Sequence, residues 1–148
     1  MTPSHHEVSI TISEGVPLDW QRYRHTAIVF REKYPCTPNN PLPLVIHMIG
    51  GSGFFELQHS DSLDPQSEKT FLKEIPVGVL KGETSTLPRL LALLKRVPIE
   101  NWDIEFNCQT WVERALVRLR DAGLLGAREC EEGVEAMVEA TMNGAADM

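Results

Sequence analysis

Apolar residues along this chain change their spacing once, and that change limits the fold more than any other feature. Val8-Ser9-Ile10-Thr11-Ile12 alternates apolar with polar, the two-residue period of a half-buried strand. His25-Thr26-Ala27-Ile28-Val29-Phe30 and Leu44-Val45-Ile46-His47-Met48-Ile49 are β-branched and aromatic runs that read as two more strands. Phe54-Phe55-Glu56-Leu57 resumes an extended pattern, and 75–80 reads as a short edge strand weakened by Pro76 and Gly78. After about residue 85 the spacing becomes helical. Leu90, Leu91, Leu93 and Leu94 supply the core face of a helix capped by Ser85 or Thr86 and ended before Pro98. Trp111, Val112, Ala115, Leu116, Leu119 and Ala122 recur at three- and four-residue steps in a second helix, which starts near Asn107 and stops at Gly123. A third helix is expected over about 127–142, with Val134, Met137, Val138 and Thr141 on one side. Strands first and helices after point to an α+β fold, an antiparallel sheet packed against helices. At 148 residues the chain fits one domain.

The breaks between these elements carry little chemistry. Residues 35–43 hold four prolines and two asparagines and read as a loop. Residues 59–68 are polar and read as another. Gly50-Gly51-Ser52-Gly53 is not a phosphate loop, because the Lys-Ser/Thr that would follow is absent.

Charge excludes some functions. The net charge of −7 argues against nucleic acid as a partner, which normally meets a basic face. Six acidic residues and no Lys or Arg lie from Glu129 onward, so the excess belongs to an acidic C-terminal helix or tail over 129–148. No apolar run approaches the roughly 20 residues of a membrane-spanning helix. No basic-then-apolar leader is read at the N-terminus, and three cysteines are too few for a disulfide framework, so a reducing, cytoplasmic compartment is expected.

Free thiols make each cysteine a chemical question. Asn107 is a favoured helix N-cap, which makes Cys108 the first helical residue. Cys108 precedes Trp111 and Val112 by three and four residues, so it shares their inward face. The positive end of a helix favours a thiolate, which is the nucleophilic form, and first-turn N–H groups can serve an oxyanion. A small buried core cysteine fits the same position. Cys36 and Cys130 read as bystanders.

A nucleophilic cysteine needs a histidine within reach, usually from far away in sequence. His5 and His6 read as part of a frayed terminus and His59 as part of a polar loop, whereas His25 opens one strand and His47 lies inside another. If those strands pair as a hairpin across the proline-rich loop, a register that puts both histidines on the same side is open to them. A metal site would show close ligand pairs of the Cys-x-x-Cys kind; none exists, so no metal and no cofactor is expected. Trp111, one turn after Cys108, and Phe54 and Phe55, after the glycine run, are candidate walls of a substrate cleft.

Three windows together resemble the circularly permuted, papain-like thiol enzymes of the NlpC-type superfamily: 24–30, opening Arg24-His25-Thr26; Val45-Ile46-His47-Met48; and Asn107-Cys108-Gln109-Thr110-Trp111-Val112. The lecithin:retinol acyltransferase branch shows a His-Trp-Ala-Ile-Tyr-Val strand, a strand ending Val-His-Leu and an Asn-Cys-Glu-His-Phe-Val helix start. The PPPDE-type desumoylating isopeptidases show His-Thr-Ser-Ile-Val-Val and Asn-Cys-Asn-Thr-Phe-Ser. The resemblance implies a single-domain permuted papain-like fold, with residues 1–128 as the catalytic part and 129–148 as its acidic helix or tail. It implies Cys108 as nucleophile, His25 as general base, His47 as the third member that orients His25, and Asn107 as the cap beside the oxyanion site. The expected activity is hydrolysis or acyl transfer at an ester, thioester, amide or isopeptide carbonyl, on a small-molecule or peptide substrate; apart from the resemblance, a homodimer is open as a further partner. Residues 50–85 match neither branch by motif, and the acidic C-terminus differs from the apolar anchor of many membrane-acting members. The competing class is a binding module that keeps the fold without the chemistry.

Overall fold

The computed structural model describes residues 5–16, 18–34, 42–81 and 87–143. Cys36, most of the proline-rich loop, the proposed caps Ser85 and Thr86, and the end of the acidic tail lie outside them. The described residues form strands β1 (His5–Ser13), β2 (His25–Tyr34), β3 (Leu44–Ile49), β4 (Glu56–Ser60) and β5 (Phe71–Val79), then helices α1 (Leu87–Leu94), α2 (Cys108–Asp121) and α3 (Ala127–Met142). The sheet has the order β4-β3-β2-β1-β5, and every neighbouring pair is antiparallel. The fold is therefore α+β, a five-stranded antiparallel sheet with three helices.

Register decides which side chains meet the helices. Val8, Ile10 and Ile12 of β1 stand opposite Phe30, Ile28 and Thr26 of β2, and Ile28 and Phe30 stand opposite Ile46 and Leu44 of β3. These residues face one side and join Cys108, Trp111, Val112, Ala115, Leu116 and Leu119 of α2 in the main core. The alternate residues face the other side. Ala27, Val29 and Val45 make a small separate cluster there, in line with His25, Arg31 and His47.

Four strands differ from expectation: β1 takes in His5 and His6, expected in a frayed terminus, with His6 buried where β1 pairs on both sides, and β2 continues past Phe30 to Tyr34. β4 begins at Glu56 rather than Phe54 and takes in His59 and Ser60, which were read as loop. β5 starts at Phe71 and is longer than the short strand read over 75–80. Pro76 is tolerated because β5 is an edge strand whose register slips where Val8 and Ser9 face Gly78 and Pro76. Gly78 leaves room for the carboxylate of Glu129, which a Cβ there would displace. That carboxylate accepts the Gly126 N–H at 2.9 Å and so caps α3.

Helix α3 also corrects the expected face. Cys130, Gly133, Met137, Ala140 and Thr141 are buried, whereas Val134 is only partly so and Val138 is 43% exposed. Small residues face the sheet because the helix lies close to it. A Cβ on Gly133 would come within 3.1 Å of the Val77 side chain.

β4 and β5 occupy opposite edges, so residues 61–70 must cross the sheet. Ten extended residues reach about 33 Å, and four strand spacings span about 19 Å, so the crossing is feasible with a short 3-10 turn included. Arg31 fastens it on the face away from the helices. Its guanidinium pairs with both oxygens of Asp64 at 2.8 Å and with Glu74 of β5 at 2.7 and 2.9 Å. All three side chains are partly buried. Replacing Arg31 by Met leaves two carboxylates facing each other without a cation. A loss of about 2 kcal/mol is expected, read as a lower urea midpoint at unchanged slope; a midpoint equal to the wild type's would show that the crossing does not depend on this pair.

Candidate active site

The site forms where β2 begins. A 3-10 turn over Gln21–Tyr23 delivers the chain to Arg24, which is buried. Its guanidinium makes a two-point bond to Asp19, both contacts at 2.9 Å. It also donates to the carbonyls of Ala140 at 2.9 Å and Asn143 at 2.6 Å, at the C-terminal end of α3. A cation there answers the unsatisfied carbonyls of that helix end. The next residues, His25 and Thr26, then leave on opposite faces of β2.

Helix α2 starts as the residue types dictate. The Asn107 side chain accepts the Thr110 N–H at 3.1 Å, and the Thr110 hydroxyl accepts the Asn107 N–H at 3.2 Å. This reciprocal cap fixes Cys108 as the first helical residue. Cys108 is only 8% exposed, and its thiol donates to the Arg24 carbonyl at 3.5 Å. Gln109 Nε2 donates to the Gln21 carbonyl at 2.7 Å and to the Arg24 carbonyl at 3.4 Å, tying the helix start to the 3-10 turn.

The two histidines share a face, because the register pairs Ala27 with His47. His47 stands opposite Ala27, so His25, two residues earlier, is its diagonal neighbour across a small side chain. His25 Nε2 and His47 Nδ1 are 2.6 Å apart, with the rings edge to face. His47 Nε2 lies 3.1 Å from Gln58 Oε1 on β4. This chain assigns the tautomers. An amide oxygen only accepts, so His47 Nε2 carries a hydrogen and His47 Nδ1 accepts. His25 Nε2 therefore donates, and His25 Nδ1 keeps its lone pair.

His25, Asn107 and Cys108 line one cavity of about 220 Å³, together with Tyr23, Phe55 and Phe106 among others. Phe55 is held there by Asn101, which accepts the Phe55 N–H at 2.8 Å and donates to its carbonyl at 3.1 Å. Of the proposed cleft residues, Phe55 is in place and the other two are not. Trp111 is fully buried under the sheet, because its position on α2 continues the core face. Phe54 points outward, 81% exposed, because the turn at Gly50–Gly53 directs only its neighbour inward. Thr26, Gln58 and Phe106 were not anticipated. Gln58 needed the β3–β4 register to be seen. Phe106 could have been suspected as the apolar residue just before a helix cap.

Residues 18–126 match a family described as a family of unknown function (DUF6540). The chain belongs to the DUF6540 family. No curated protein and no solved structure matches it. The DUF6540 match takes in β2, β3 and the start of α2, hence Cys108 and both histidines, and ends just before α3.

Electrostatics at this DUF6540 site differ from the expected thiolate. Burial pushes the Cys108 thiol up, against the pull of the Thr26 hydroxyl and of the N–H groups of Thr26, Gln109 and Cys108. The first-turn donors are present, but desolvation outweighs them. Burial, aided by the nearby His47, pushes His25 down to about 4. Burial lowers His47 as well, against its bond to Gln58. At neutral pH the thiol and both imidazoles are uncharged.

A neutral buried histidine makes stability depend on pH. The unfolded chain binds His25's proton near 6.5 and the folded chain only near 4. Stability is complete above 6.5 and is lost as pH falls from 6.5 toward 4. A loss of about 2 kcal/mol is expected between pH 7 and pH 5, with His25→Gln reducing that slope in urea titrations. A His25 ring resonance titrating near 6.5 by NMR would refute the assignment.

Proposed function

We propose that this protein is a cysteine-dependent hydrolase or acyltransferase, with Cys108 as nucleophile, His25 as base and His47 as third member. The observation that carries the reading is the Gln58–His47–His25 hydrogen-bond chain, which engages His25 through Nε2, at a cavity that Cys108 also lines. A base must be free on one side and fixed on the other. Further support comes from the order of elements, histidine strand before cysteine helix, and from the capped start of α2. On this reading the fold is the permuted papain-like one.

The chemistry follows from the groups present. The Cys108 proton leaves the Arg24 carbonyl for His25 Nδ1, and the thiolate sulfur bonds to the substrate carbonyl carbon. The N–H of Cys108 lies at the unsatisfied end of α2 and serves the developing oxyanion. His25 returns its proton to the departing oxygen, nitrogen or sulfur, leaving an acyl-thioester on Cys108. Water or an acceptor amine or alcohol then gives its proton to His25 and takes the acyl group, the acyl–sulfur bond breaks, and His25 returns the proton to the Cys108 sulfur. Because thiol and imidazole both start neutral, the proton transfer belongs to the reaction and not to the resting state.

A non-catalytic binding role has one observation in its favour: the resting thiol donates to Arg24 and not to His25. Intact-mass measurement separates the two. Incubation with p-nitrophenyl esters, acyl thioesters and isopeptide-linked peptides should add one acyl group to the wild type and none to Cys108→Ala. His25→Gln should acylate at least about a hundredfold more slowly. Equal labelling of wild type and Cys108→Ala, or none of either across the panel, would overturn the catalytic reading.

A further inference from the structure

We propose that the Thr26 hydroxyl is a catalytic hydrogen-bond donor to the Cys108 sulfur, engaged only once the thiol has given up its proton. Thr26 lies on the helix-facing side of β2, between His25 and Ala27, which face the other way. It is fully buried, and its hydroxyl has no hydrogen-bond partner among the described residues. A buried hydroxyl without an acceptor is destabilising, and packing does not explain its presence. Valine has the same branched shape, suits a strand equally well and carries no such penalty.

The group beside the hydroxyl supplies the reason. The Cys108 sulfur lies in the helix-side core, 3.5 Å from the carbonyl of Arg24, two residues before the buried Thr26, and the Thr26 hydroxyl and the N–H groups of Thr26, Gln109 and Cys108 all favour its anion. All four are donors. A neutral thiol is a weak acceptor, and this one spends its own hydrogen on the Arg24 carbonyl. When that proton moves to His25 Nδ1, the sulfur becomes negative and accepts only. The hydroxyl then gains the acceptor it lacks in the resting state. An interaction stronger after proton transfer than before it lowers the barrier rather than tightening ground-state binding.

The inference takes its purpose from the thiol-enzyme reading, but its test needs no substrate. The ionisable groups that face Cys108 are His25 and Tyr23, across the cavity; His47 acts through His25, and the Arg24 guanidinium is engaged by Asp19 and α3. Substitution at Thr26 alters none of them. The Cys108 pKa is measured from its iodoacetamide alkylation rate against pH, with the modified peptide identified by mass. Thr26→Val should raise it by about one unit, a tenfold loss of thiolate at any pH below the pKa. Thr26→Ser should hold it within about threefold of the wild type, and Thr26→Val should melt no lower than the wild type. Thr26→Ala carries the same pKa expectation should the valine variant fail to fold. Identical profiles for wild type and the hydroxyl-less variants, or Ser behaving as Val, would overturn the proposal. Acyl adducts without the shift would sink this inference alone; the shift without adducts would sink the enzyme reading and leave the donor in place.

Discussion

A guanidinium taken out of water must be answered on every side, and at Arg24 the answers come from three parts of the chain. Asp19 holds it from the loop before β2, and the carbonyls of Ala140 and Asn143 hold it from the end of α3. Removing any partner would strand a buried charge, so these segments are fixed relative to one another. Arg24's own carbonyl then faces the start of α2, where it receives the Cys108 thiol and the Gln109 amide. The residue that fixes the frame is thus one peptide away from His25 and in direct contact with the Cys108 thiol.

The site built on this frame is uncharged at rest. Burial acts in opposite directions on the two groups that matter, raising the thiol and lowering the imidazole. Both effects favour the neutral pair. The helix start alone does not overcome desolvation for a sulfur this deeply placed, so burial holds Cys108 as the thiol.

Elements with a clear period were legible in the sequence. β3 and α3 fall at the expected residues, and α2 within one of them, because a cap residue or a proline marks their limits. The edge strands were not, since their residues obey local needs: Gly78 clears Glu129, and Pro76 sits at a slip in register. Cys108, His25 and Asn107 were expected at the starts of elements, and they stand there and line one cavity, because a helix cap and a strand start are explicit in the sequence. Trp111 and Phe54 were misplaced because neighbours in sequence were taken as neighbours in the cavity. Gln58 and Thr26 depend on strand register and on burial, and neither is written in any local pattern.

The sheet order has a consequence for how the chain is made. β1 is internal, with β2 on one side and β5 on the other, yet about 60 residues separate it from β5. At roughly 5–20 residues per second, one flank of β1 waits for several seconds after its partner on the other flank has been synthesised. Val8, Ile10 and Ile12, later fully buried, lie along that waiting flank. During those seconds the growing chain offers an open ladder that another chain can extend, so the order of strands sets a window of vulnerability during synthesis that the finished fold no longer shows.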